Sequence, residues 1–295
     1  MWLPLALIAM STLVLRRSTE KHLTSRISAG SMAWLQQVAA VPFMLALLPF
    51  ARFYLPGQLS GTFYAITIFY VLAQSVDVIL YFKAIEVGDI SIIAPLLTLT
   101  SVGSLFGAFF VLGQVPTFAG ILGAALIVTG AYLTTRKSRT HVSAAINNRL
   151  AIAIILFLVV FRGFYASFEV ISLRLTNPIY FNFVTSLLGI PLVMLLIYLR
   201  GRHTGRPLVS RELLAGVRRR WLGFLFVGLT YTIAFTATFA AKLASPDAGY
   251  VTAIRNAQVL PLVLVGVFFF HEHVQPRQWL GVGFLLAGLA CYLRV

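Results

Sequence analysis

The chain has 295 residues, of which 59% are hydrophobic and only 11% charged, with a mean hydropathy of +0.91. A soluble domain is roughly a quarter charged, so this composition excludes a water-soluble fold and leaves an integral membrane protein. A net charge of +15 would point to nucleic acid in a soluble chain, but here Lys and Arg in short loops are the ordinary topogenic signal and meet anionic lipid head groups, and no nucleic-acid partner is expected.

Apolar runs bounded by glycine, proline and charge predict ten helices, most of them near the ~20 residues that a bilayer core requires. The first, Leu3 to Leu15, lacks a basic head and is followed by Arg16 and Arg17, so it reads as an uncleaved helix and not as a signal peptide. The second is Ser31 to Phe50, with Trp34, Gln36 and Gln37 of unassigned facing. The third, Thr62 to Phe82, carries Gln74 and Asp77. The fourth, Ile90 to Leu112, contains Pro95, which releases a backbone carbonyl and permits a bend, and the polar residues Thr98 and Ser101. The fifth is Thr117 to Leu133, after which residues 136–148 form a basic connecting loop.

The sixth helix, Leu150 to Leu173, places Arg162, Tyr165 and Glu169 roughly on one face, one turn apart. The seventh is Ile179 to Leu199, and the eighth, Trp221 to Leu243, includes Tyr231. The ninth, Ala248 to Phe270, carries Arg255, Asn256, Gln258 and Pro261, and the tenth is Trp279 to Leu293. The single cysteine, Cys291, lies in this last span, so no intramolecular disulfide is available.

Residues 1–135 and 149–295 are two copies of one frame. Arg16 falls on Arg174, Asp89 on Asp247, Gly123 on Gly281 and Gly130 on Gly288, all at a shift of 158 residues. Five helices per copy is an odd number, so the two copies lie in the membrane with opposite orientation, the inverted repeat of many secondary transporters. Of the 23 Lys and Arg residues, seventeen fall in the odd-numbered loops, which the positive-inside rule places in the cytoplasm, with both termini outside. Lys242 is counted among the four at the even-numbered loops and termini.

The passage from Lys83 through Glu86, Gly88 and Asp89 to Pro95 resembles the link between helices three and four in the EamA family of the drug/metabolite transporter superfamily. The ends of both copies resemble the same family: Glu272, Gly281 and Gly288 match its pattern of an acid followed by two glycines, and Gln114, Gly123 and Gly130 match it with the acid replaced by its amide. The resemblance covers essentially the whole chain. It implies an all-α integral membrane fold of ten helices in two inverted five-helix repeats, a cavity lined by helices one, three, four, six, eight and nine, and both termini in the cytoplasm. On the last point it disagrees with the charge count.

Glycines seven apart share a helix face, so Gly123 with Gly130 and Gly281 with Gly288 form stripes for close helix packing, widened by Gly120 and Gly283. Intramembrane charges are costly and face a cavity or a partner. Asp77 and Glu169 are the acids, and Arg162 and Arg255 the bases, that lie well inside the spans, and these four can neutralise one another, contact substrate, or do both as a gate. Arg255 and then Asp77 lead as substrate-binding or gating residues, since a guanidinium suits a carboxylate or phosphate. Gln74, Thr98 and Ser101 from the first copy, and Tyr165, Tyr231, Asn256 and Gln258 from the second, complete the expected cavity.

His271, Glu272 and His273 alternate along a helix and point apart, so they are read as a helix-end cap and not a metal site. The basic loop at Gly201 to Gly205 lacks the Lys-Ser/Thr ending of a P-loop, so no ATP is implied. These features predict a secondary transporter, an exporter of small metabolites or drug-like molecules across the plasma (inner) membrane, that works by alternating access. No cofactor is needed, and Asp77 or Glu169 could couple transport to a proton. A flippase for a lipid-linked head group and a structural membrane subunit are the alternatives. An enzyme is not expected, because no set of acids, histidines or nucleophile gathers at one depth. Monomer and homodimer are both left open.

Overall fold

A computed structural model describes residues 2–24, 29–54, 57–87, 96–97, 99–135, 142–204, 216–246, 248–258, 261 and 276–293. These residues form α-helices joined by short turns: α1 (Trp2–Thr24), α2 (Ala29–Leu47, extended by the 3-10 turn Leu48–Phe50), α3 (Gly61–Val87), α4 (Thr100–Leu112), α5 (Phe118–Thr135), α6 (Val142–Arg174), α7 (Pro178–Thr204), α8 (Trp221–Ala244), α9 (Ala248–Asn256) and α10 (Pro276–Leu293). Among the described residues, four stretches are long and apolar enough to cross a membrane: Gly61–Tyr81, Arg149–Arg174, Pro178–Leu199 and Trp221–Ala244. Large apolar side chains cover the outside, with Phe110 at 66% exposed, Phe118 at 83% and Leu280 at 63%. In water such a surface would be a severe liability; against lipid it is the expected one.

Two helices extend beyond the hydropathy reading. Helix α1 continues past Leu15 to Thr24, and α6 begins at Val142, within the stretch read as connecting loop. In α1 the added residues include Arg16, Arg17, Glu20 and Lys21, which end an apolar run but are good helix formers; in α6 the added residues 142–148 hold Ser143, Asn147 and Asn148, which interrupt the apolar run without stopping the helix. In α1 the added turns hold Arg16 and Glu20 as an i,i+4 ion pair at 3.2 Å. Helix α9 departs in the other direction. The continuous span expected from Ala248 to Phe270 is helical to Asn256, then turns at Ala257 and Gln258, whose N–H groups bond to carbonyls three residues back. Non-helical backbone at membrane depth is tolerated where it faces a cavity, as this turn does.

Other ends follow local chemistry. Gly113 closes α4 in the left-handed conformation at φ +67°, which glycine adopts without cost. Asn177 opens α7, its Oδ1 accepting from the Tyr180 N–H at 2.8 Å, with Pro178 just inside the helix.

The packing has an internal two-fold pattern. Helix α1 packs on α8 and α6 on α3; α2 packs on α8 and α7 on α3; α4 packs on α6 and α9 on α1. Each contact is the image of its fellow when five helices are added to or subtracted from the count. Three contacts, α2 with α7, α4 with α9 and α5 with α10, are their own images.

The glycine stripes lie on the α5–α10 seam. A Cβ added at Gly130 would sit 2.7 Å from the Gly281 carbonyl oxygen and 2.8 Å from Leu285 Cγ; one at Gly288 would sit 2.7 Å from the Gly123 oxygen and 2.8 Å from Ile127 Cγ1. Gly120 makes ordinary contact with Thr117 and Tyr250, whereas Gly283 faces open space and does not widen the stripe. A second close crossing was not evident from the seven-residue spacing. Gly103 and Gly107 of α4 press against the backbone of α6 at Val159 and Gly163, next to Arg162.

Candidate functional site

A cavity of about 160 Å³ lies at the centre, where α1, α3, α4, α6, α8 and α9 converge. Helix α3 presents Tyr70, Gln74, Asp77 and Tyr81 to it, at spacings of three and four that keep one face of a helix inward. Helix α6 presents Arg162, Tyr165 and Glu169, and α8 presents Tyr231, Phe235 and Lys242. Thr100 and Ser104 of α4 meet Arg255, Asn256 and Gln258 at the end of α9. Helix α1 adds Arg16, Arg17 and Glu20, and α2 adds Gln36 and Gln37.

Two ion pairs cross the cavity wall, the second of them with both partners buried. The Arg162 guanidinium binds Asp77 bidentately, Nε donating to Oδ1 at 2.5 Å and Nη2 to Oδ2 at 2.9 Å, and also covers the Tyr81 ring at 5.3 Å. Lys242 Nζ donates to Glu169 Oε1 at 2.7 Å, with both residues about 95% buried. The first pair ties α3 to α6, and the second ties α6 to α8. Arg16 lies over the rings of Tyr231 and Phe235, at 5.4 and 5.6 Å. Asn256 Nδ2 donates to Thr100 Oγ1 at 2.8 Å, which joins the two repeats across their self-paired contact. Tyr70 and Tyr165, which line the cavity with Lys242 and Glu169, belong to an aromatic cluster that also includes Phe63, Phe181 and Phe239.

The expected acids and bases, Asp77, Glu169, Arg162 and Arg255, all line this cavity. So do Gln74, Tyr165, Tyr231, Asn256 and Gln258. Ser101 does not: it is fully buried one step round α4 from Thr100, and Thr100 and Ser104, four apart, take the cavity face instead. Thr98, Pro95 and the His271–His273 cluster lie outside the described residues.

The mutual neutralisation of two acids by two bases needs correction. Glu169 pairs with Lys242, a residue counted with the loops, and Arg255 makes no ion pair among the described residues. Lys242 lies one residue inside the apolar run that ends at Leu243, and that position is itself the signal: a lysine with apolar neighbours on both sides needs a partner. Arg16, Arg17 and Glu20 were missed because they follow the apolar run of α1, whose helix carries on into the cavity wall. Among the described residues no three His, Cys, Asp or Glu side chains come together as metal ligands do.

Comparison with known proteins places this geometry. A family model described as the EamA-like transporter family matches residues 1–136 and 149–294. The Uncharacterized transporter YwfM of Bacillus subtilis (strain 168) is 35% identical over 65 residues, a segment that spans 22% of this chain and 22% of that protein. A crystal structure of a protein 17% identical in sequence superimposes with a TM-score of 0.65 over 98% of this chain and 96% of that one, a likeness of fold.

Proposed function

Since this chain belongs to the EamA-like transporter family and is a membrane transporter, we propose that it is a secondary exporter that carries a small metabolite across the plasma membrane by alternating access. The observation that carries the reading is a charged, hydrogen-bonding cavity, built from both repeats, at the centre of helices whose outer faces are apolar. Charge inside a membrane protein is retained where it faces a cavity or a pathway. In this reading all ten helices are spans, and the five-plus-five arrangement sets the two repeats in opposite orientation.

Alternating access needs an element with two arrangements whose balance the substrate shifts. The Lys242–Glu169 pair and the aromatic cluster beside it act as the closed side, and α6 and α8 part there when the opposite side shuts. Asp77 and Glu169 are the groups that could exchange a proton during that change, because protonation would release the cation each one holds. The chain acts by binding and moving its substrate and performs no covalent chemistry.

The test is efflux of a preloaded panel of labelled small metabolites from cells expressing wild type or Arg255→Ala at equal membrane abundance. Wild type is expected to speed the loss of at least one compound, and the variant to remove that gain. A wild type that accelerates nothing in a broad panel would overturn the exporter reading, and efflux that persists in the variant would remove Arg255 from the site.

A further inference from the structure

Among the described residues, five cations line the cavity (Arg16, Arg17, Arg162, Lys242 and Arg255) against three carboxylates, Glu20, Asp77 and Glu169. Every one of the carboxylates is engaged: Glu20 with Arg16 at 3.2 Å, Asp77 with Arg162 at 2.5 Å and Glu169 with Lys242 at 2.7 Å. Arg17 and Arg255 have no carboxylate within ion-pair distance among the described residues. Among the described residues the cavity therefore carries two positive charges more than it neutralises, in a region where unpaired charge is costly.

Arg16 adds donors that an anion could use. Arg16 meets Glu20 as an ion pair only, and its Nε and Nη1 are buried with no hydrogen-bond acceptor. These are donors in a planar fork, a geometry that carboxylate and phosphate oxygens satisfy. The cavity also holds the buried acceptors Gln37 Oε1 and Gln258 Oε1, neither with a donor among the described residues. What disfavours a ligand ammonium is therefore charge: each of the three carboxylates is already in an ion pair, and the Tyr231 and Phe235 rings that could cage it already face the Arg16 guanidinium. The volume of about 160 Å³ lies below the ~300–1,000 Å³ of drug-sized ligand pockets, which sets a limit on size.

We propose that the substrate of this cavity is a small water-soluble organic anion, its carboxylate or phosphate held by Arg255 and Arg17, and that zwitterions and organic cations are rejected. The proposal rests on the transporter reading above and names its substrate class. Rejection follows from charge already present: a cation entering would add to an excess of two, whereas an anion reduces it.

The purified full-length protein tests this in two readouts, thermal unfolding in detergent and counterflow in proteoliposomes. The probes are succinate, glycerol 3-phosphate, alanine and tetraethylammonium, at constant ionic strength. One or both anions are expected to raise the unfolding midpoint and to exchange. In R255Q their apparent affinity is expected to fall about tenfold or more, the loss of one charge-assisted hydrogen bond, with R255K intermediate. R17Q is the second variant should R255Q fail to fold.

Anions that neither bind nor exchange, or that act equally on wild type and both glutamine variants, would overturn the proposal. Exchange of alanine or tetraethylammonium with no response to either anion would overturn the anion class and leave the transport reading standing. Anion binding that depends on Arg255, with no exchange of any probe, would support the anion site and count against transport.

Discussion

The Asp77–Arg162 pair sets the energetic stakes at the scale of single residues. Asp77 is buried, the Arg162 side chain is 21% exposed, and two hydrogen bonds join them, so removing one partner leaves the other without its counter-charge. Asp77→Asn is expected to cost about 3–5 kcal/mol, read as a lowered unfolding midpoint in detergent. Replacing both residues, as in Asp77→Leu with Arg162→Leu, should recover most of that stability, because an apolar pair of similar bulk often matches a buried ion pair. If the pair also serves the substrate cycle, transport stays lost in the double variant although the fold returns. Lys242→Met is expected to destabilise by a similar amount by stranding Glu169. The candidate charges were legible as charges in apolar runs, but their pairing was not. Which cation meets which acid depends on the helices that face each other, and local spacing along α6 says nothing of α8.

Helix crossings follow from glycine in two ways, and only one was legible. The seven-residue stripes on α5 and α10 are a regular pattern and announce a close seam. The α4–α6 crossing rests on Gly103 and Gly107 meeting a lone Gly163, and a lone glycine in one of the two partners leaves no period to read. Gly163→Leu would drive a side chain into the backbone of α4 and is expected to abolish the monodisperse peak in detergent gel filtration. Gly283→Leu, at a position open to the outside, should leave that peak unchanged. The break after Asn256 was also hidden, since Val259 to Phe270 is apolar enough to hide a turn within one long hydropathy peak.

Across the whole molecule, the repeat at a shift of 158 residues was the strongest feature in the sequence, and the symmetric helix contacts are its counterpart in space. The ten spans proposed above predict that reporters fused before Met1 and after Val295 are active on the same side of the membrane; activity on opposite sides would break the five-plus-five arrangement. The same shift separates two kinds of residue. On the α5–α10 seam it carries Gly123 to Gly281, Gly130 to Gly288 and Ile127 to Leu285, so both halves bring matching residues to the contact. In the cavity it carries Asp77 to Phe235, Ala84 to Lys242 and Leu97 to Arg255, and no charge pair recurs. Two identical five-helix halves, inserted head to tail, could make the seam, but they could not make this distribution of charge. Joining the halves in one polypeptide frees each from having to complement a copy of itself, and the chemistry of the centre is where that freedom was used.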